Sequence, residues 1–339
     1  MTRRTTVRLL LRAFLLSAPL SAQTPPIGFI EFYGLRDVTE IEIRAVLDVQ
    51  VGDPQPAFPR EIIDRLEEIS GVNRAYVTTV CCESGESIFY VGIQEDEGDP
   101  FELRAPPQGD LTLPTEVVDT DRRFDEALQA AIVKGDAGDD MTAGHSLVTN
   151  PEARVHQEQF IVFAERYPEI LRRVLRTSAD PEQRAIAAQV LGYVSDKQTV
   201  VVDLLYAAQD PDRGVRNNAV RALGAIGILA NAEPELEIRI PSSLFVRMLN
   251  SVVWSDRNKA SGILFFSLTS PRDAETLQQL RENALPSVVE MARWKTNHAQ
   301  FCFFILGRMA GMPDTAIFEA WSGGEREAAI AAWETTLTK

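Results

Sequence analysis

Histidine and cysteine are scarce in this chain, with three of each among 339 residues. His145, His156 and His298 stand singly, none in a His-Glu-x-x-His setting, and no Cys-x-x-Cys occurs, so no metal site is expected. The nucleophile elbow Gly-x-Ser-x-Gly and the glycine-rich Walker loop are also missing, which removes two common routes to hydrolysis and phosphate binding. Gly144-His145-Ser146 sets a base beside a hydroxyl, yet neighbours in sequence rarely face each other, and the stretch reads as a loop. The acidic segment Gly135-Asp136-Ala137-Gly138-Asp139-Asp140 lacks the alternating ligands and closing Glu of a calcium loop, and reads as a turn between helices. No catalytic, cofactor-binding or metal-ligating residue is assigned. No cofactor is expected, and the chain is read as a non-enzyme.

Basic residues are also few, 34 against 49 acidic ones. Four of them, Arg3, Arg4, Arg8 and Arg12, precede Ala13-Phe14-Leu15-Leu16-Ser17-Ala18-Pro19-Leu20 and then Ser21-Ala22-Gln23. A basic start, a short apolar run and small residues at a cut after Ala22 predict a secretory signal peptide over residues 1–22 and a periplasmic or secreted product. Thr5-Thr6 replaces the apolar residues of a twin-arginine signal, and no Cys follows the cut to accept lipid. The run is too short for roughly 30 Å of hydrocarbon, so no stable membrane span is expected after cleavage. What remains has 30 basic residues against 49 acidic, a net charge of −19. Such a chain repels phosphate and anionic lipid, so no nucleic-acid partner is expected. Cys81, Cys82 and Cys302 do not form a disulfide framework, because adjacent strand residues point to opposite faces, and all three are expected as free thiols.

Residues 23–95 read as a small α/β module. Ile27 to Tyr33 is a strand closed by Gly34; Thr39 and Glu42 form a capping box ahead of Ile43, Val46 and Leu47; a second helix opens at Pro59, buries Ile62, Ile63, Leu66 and Ile69, and stops at Gly71. Two strands follow, Ala75 to Cys82 and Ser87 to Gln94, joined by a tight turn at Glu83-Ser84-Gly85-Glu86. This βααββ order, with Phe32-Tyr33-Gly34, Val51-Gly52-Asp53 and Leu66-x-x-Ile69-x-Gly71-Val72-x-x-Ala75-x-Val77, resembles a POTRA (polypeptide-transport-associated) domain. The resemblance implies a sheet edge that accepts extended partner segments, and transfers no active site. Families with this domain usually place it before an outer-membrane barrel or a membrane anchor, but nothing after residue 95 alternates like barrel strands. Residues 96–113, acidic at first and carrying Pro100, Pro106 and Pro107, read as a linker with no core of its own.

Residues 114–339 repeat themselves. Four helices align on the columns Ala187, Ala219, Ala260, Cys302; Val190, Ala222, Ile263, Ile305; Leu191, Leu223, Leu264, Leu306; and Val194, Ile226, Ser267, Met309. Each set falls at i, i+3, i+4 and i+7, one buried helical stripe, and the spacings in the Leu column are 32, 41 and 42 residues. Arg184, Arg216 and Arg257 form a column three residues before the small residue, and Asp180-Pro181 and Asp210-Pro211 are expected to open their helices. The signature Asp210-Pro211-Asp212-Arg213-Gly214-Val215-Arg216 through Ala222-Leu223-Gly224 resembles HEAT repeats. The fold class expected is therefore mainly α, an α-α superhelix (HEAT-like solenoid) behind a POTRA-like βααββ domain.

HEAT families are mostly scaffolds, so the resemblance implies a protein partner held in a groove. The expected function is an exported scaffold or adaptor; the alternative is a HEAT-like enzyme such as a lyase. A charged residue precedes each apolar doublet in the second helices: Arg173, Asp203, Arg247, Glu290 and Glu319. These five are the candidate partner-binding residues, expected to line one ridge.

Overall fold

The computed structural model describes residues 25–95, 101–269 and 273–339. The expected signal peptide lies outside the described residues. The first module runs β1 (Ile27–Tyr33), α1 (Glu40–Val46), α2 (Pro59–Glu67), β2 (Arg74–Glu83) and β3 (Glu86–Gln94), in the order the sequence predicts. Its sheet order is β1-β3-β2, with β1 parallel and β2 antiparallel to the central β3. The capping box forms: the Thr39 N–H donates to Glu42 Oε2 at 2.8 Å, and Thr39 Oγ1 accepts from the Glu42 N–H at 3.3 Å.

Alternate residues of β3 serve two cores. Phe89, Val91 and Ile93 pack with Ile43, Ile62 and Leu66 beneath the module's own helices, whereas Ile88 and Tyr90 belong with Tyr33 to the core of the helical part. A strand has two faces at period two, and here both are covered.

One expectation about this module is corrected. Cys81 and Cys82 are joined as a vicinal disulfide, not free thiols; the register of β2 against β3 slips between Cys81 and Glu83, which breaks the alternation that would have pointed them apart. Cys302 is a free, fully buried thiol, with burial pushing its pKa up to about 12.

The helical part comprises α3 (Thr115–Val133), a two-residue pairing of β4 (Asp139–Asp140) with β5 (Leu147–Val148), then α4 (Pro151–Arg166), α5 (Pro168–Thr177), α6 (Pro181–Leu191), α7 (Lys197–Ala207), α8 (Arg213–Ala232), α9 (Ser243–Met248) and α10 (Trp254–Ile263). A π-helical turn, Leu264–Leu268, extends α10. There follow α11 (Ala274–Asn283), α12 (Leu285–Ala292), α13 (Gln300–Met309), α14 (Asp314–Ser322) and α15 (Arg326–Leu337). The repeated stripe lies on α6, α8, α10 with its π-turn, and α13, and the small-residue and Leu columns are completely buried. Each such Leu is worth about 2 kcal/mol of burial. No described helix is long and apolar enough to cross a membrane.

The arginine column staples consecutive repeats. Arg184 donates from Nε and Nη2 to the two carboxylate oxygens of Asp210, both at 2.9 Å, and from Nη1 to the carbonyls of Ser178 and Ala179. Arg216 repeats the pattern one step on, with both oxygens of Asp256 at 2.9 Å and the carbonyls of Asp210 and Pro211. All four charged groups are buried, and the planar fork of arginine satisfies a carboxylate and two carbonyls at once. Asp210 therefore does not cap α8 as expected. Asp212 does, accepting from the N–H groups of Gly214 and Val215, while the Asp210 carboxylate is taken by Arg184.

The third rung is finished by the first module. Arg257 donates to the Ser251 carbonyl at 2.6 Å, but its nearest carboxylate, Glu290, is 3.8 Å away, beyond a hydrogen bond. The Tyr33 ring lies 4.6 Å from the Arg257 guanidinium, and the Tyr33 hydroxyl donates to the Val252 carbonyl at 2.8 Å. The Gly34 N–H donates to Glu290 Oε1 at 2.6 Å. Gly34 has φ +82°, and a Cβ there would collide with the Ile93 carbonyl, so only glycine brings this N–H to the carboxylate. Tyr90 packs on Trp254 and Trp294 and bonds His298 Nδ1 at 2.7 Å; Glu31 accepts from the Lys295 N–H at 2.6 Å, and Glu83 accepts from the Asn297 amide at 2.8 Å.

Residues 101–113, expected as a linker without a core, are instead a strap laid along the repeat ends. Phe101 is 2% exposed and lies 6.0 Å from the Arg216 guanidinium; Arg104 pairs with Asp210 and stacks 3.8 Å over Tyr206. Gly109 donates to the Thr177 carbonyl at 2.7 Å and accepts from Ala179 at 2.6 Å, and the Leu113 N–H donates to Gln183 at 2.8 Å. The strap thus runs back along the array, from α8 toward α5.

Candidate functional site

On the face of α6, α8, α10 and α13 beside the buried stripe, two cavities open on either side of Arg221. One, of about 180 Å³, is the more polar of the two and lies between α3, α4, α6 and α8, with His145, Ser146, Gln157, Gln189, Tyr193, Asn217 and Arg221 in its lining. The other, of about 200 Å³, is mainly apolar and lies along α8, α10 and α13, with Val220, Ile228, Ile263, Phe266 and Phe301 beside Arg221, Asn258 and Lys259. Register explains the lining. Asn217 and Asn258 both sit two residues before the small-residue column, so equivalent positions of successive repeats present side-chain amides to the same groove.

The β4–β5 loop supplies the divider. The Asp139 carboxylate pairs with Arg221 and accepts from the Ser146 hydroxyl at 2.6 Å; Arg221 also reaches Ser146 Oγ at 3.2 Å. Behind it, Gln157 donates to the Tyr193 hydroxyl at 2.7 Å and Tyr193 donates to the Ser146 carbonyl at 2.7 Å. The hydroxyl protons of Ser146 and Tyr193 are both committed to holding the loop. Ser146 gives its hydrogen to a carboxylate already paired with arginine, a weak base, and His145 packs against the Tyr193 ring, 5.2 Å between centroids. His145 Nδ1 is buried without a hydrogen-bond partner, and burial together with the Lys197 charge lowers its pKa. The Ser146 hydroxyl is thus held as a donor, and the amides of Gln189 and Asn217 line the cavity beside it.

The apolar half is shaped by the π-turn after α10. It brings Phe265 and Phe266 against Phe301, at 5.1 and 5.2 Å between ring centroids, and leaves Phe266 49% exposed. Lys259 stands beside them, pushed down to about 8 by burial and by the Arg221 charge, with Asp139 pulling the other way.

The five residues picked from sequence do not form one ridge. Arg173, Arg247 and Glu319 are exposed; Asp203 is buried between Arg172 at 2.9 Å and Arg176 at 2.6 Å; Glu290 is covered by the first module. A residue preceding an apolar doublet sits at the border of a buried stripe, so the seating of each helix decides whether it meets water. None of the five lines either cavity. The signal that points to the groove is instead the recurrence of Asn217 and Asn258 beside the stripe.

Residues 168–239, which run from α5 to just beyond α8, match the family of HEAT repeats, and no curated protein matches the chain. The match covers the Arg184 and Arg216 rungs and supports reading the helical part as a HEAT-repeat protein.

Proposed function

We propose that this protein is an exported, non-catalytic scaffold that holds an extended segment of a protein partner in the groove divided by Arg221. The observation that carries this reading is the pair of adjoining cavities on one face of successive repeats, one lined by amides and one by aromatic rings. Side-chain amides satisfy a partner's backbone, apolar walls take its side chains, and a stapled array keeps both at fixed spacing. Export rests on the basic and apolar start of the chain, and the POTRA-like character of the first module on its βααββ order. In that module β2 is an outer strand, available for strand addition. Arg173, Arg247 and Glu319 offer an additional exposed charged surface.

Affinity capture from the envelope fraction of the native host, comparing the wild-type chain with Phe266→Ser and Asn258→Ala variants, tests the proposal. The partner is expected to be lost from both variants while each melts as the wild type does. A partner retained equally by all three moves binding off the groove.

A further inference from the structure

The apolar half of the groove holds two cations and one carboxylate. Arg221 and Lys259 both line it, and Asp139 pairs with Arg221. Lys259 makes no ion pair among the described residues, although its charge is felt by Arg221 and Asp139. This runs against the balance of the chain, which has 15 more acidic than basic residues. One positive charge is thus left unmatched beside the exposed Phe266 ring and the half-buried Phe301 ring, in a cavity of about 200 Å³, room for one large side chain. Asp139 already illustrates how a carboxylate is received there, by a guanidinium with an ammonium close behind.

Resting on the scaffold reading, we propose that the groove selects a partner segment in which a carboxylate side chain stands two residues from an aromatic one. In an extended chain, residues i and i+2 share a face, so the acid reaches Lys259 while the ring packs on the outer faces of Phe266 and Phe301. The intervening backbone lies within reach of the Asn258 amide, and the segment continues toward Asn217. An unpaired ammonium in a half-buried site gains most from a partner that brings the opposite charge, and rejects one that brings its own.

Fluorescence anisotropy with three capped, fluorescein-labelled peptides tests this: Ser-Asp-Ser-Phe-Ser-Gly, the same peptide with lysine for aspartate, and the same with serine for phenylalanine. The full chain is expected to bind the first, and to bind the other two at least about tenfold more weakly. Lys259→Glu should reverse the preference between the aspartate and lysine peptides, and Lys259→Met should abolish it, with circular dichroism melting unchanged in both. Equal binding of the aspartate and lysine peptides overturns the charge assignment and leaves the scaffold reading standing. If no peptide binds and the envelope partner ignores Lys259→Glu but is lost with Phe266→Ser, this proposal fails and the scaffold reading survives. If the partner ignores every groove variant as well, both fall. Laurate binding in place of all three peptides overturns the peptide assignment.

Discussion

Arg216 is the residue on which most of the stack's polar order converges. Its guanidinium joins the Asp256 carboxylate to the carbonyls of Asp210 and Pro211, and Asp210 in turn carries Arg184. Removing one member leaves a buried carboxylate without its counter-charge, so Arg216→Ala is expected to lower unfolding free energy by about 3–5 kcal/mol, measured by urea denaturation. The double variant Arg216→Met with Asp256→Leu should recover most of that loss, because it deletes both charges and keeps volume. A double variant as unstable as the single one would mean that packing around Arg216, and not its charge, is what matters. The column of arginines was legible in the sequence. Its partners were not, since Asp210 lies 26 residues beyond Arg184 and Asp256 lies 40 beyond Arg216, offsets that no fixed period announces.

At the scale of elements, the central event is the docking of the first module's sheet onto α12 and the turns before α10 and α13. The near-continuous apolar run Ile88-Phe89-Tyr90-Val91-Gly92-Ile93 carries that message, because a strand exposed on one side alternates and one buried on both sides does not. Reading the module as a separate unit missed it, whereas the element order, the capping box and the repeat stripe were all readable from local pattern. The groove was harder to read: it needs Asp139 and Ser146 from one loop beside Arg221 from α8, a meeting made only by tertiary packing. Docking is also pH-sensitive. Burial lowers the pKa of His298 below its usual 6.5, so the unfolded chain accepts a proton there before the folded protein does. The stability His298 contributes is fully present above 6.5 and is lost as pH falls through that value toward the folded pKa. Glu290 and Glu31 act in the opposite sense. Burial raises both above 4.5, so their contribution is fully present below 4.5, is lost as pH rises through the folded pKa, and grows again as acid is added. Melting temperature is expected to fall between about pH 7.5 and pH 5.5, and His298→Gln to flatten that fall; a variant with the wild-type slope would assign the titration to another group.

For the whole molecule, the strap makes module and array one mechanical body. Phe101 is buried in the same core as the helices, so Phe101→Ala is expected to cost about 3–5 kcal/mol and to split a single calorimetric transition into two. A single transition that merely moves to lower temperature would show that the Tyr33, Tyr90 and Glu290 contacts hold the halves together without it. A repeat array resembles a coil spring, since each pair of helices touches only its neighbours and small rotations accumulate along the stack. A chain anchored at Phe101, Arg104, Gly109 and Leu113 behaves as a string across the bow: it lets the repeat ends approach, but sets a limit on how far they can spread. Between α5 and α8 the array can therefore bend inward more easily than it can open out, until the hydrogen bonds at Gly109 and Leu113 give way.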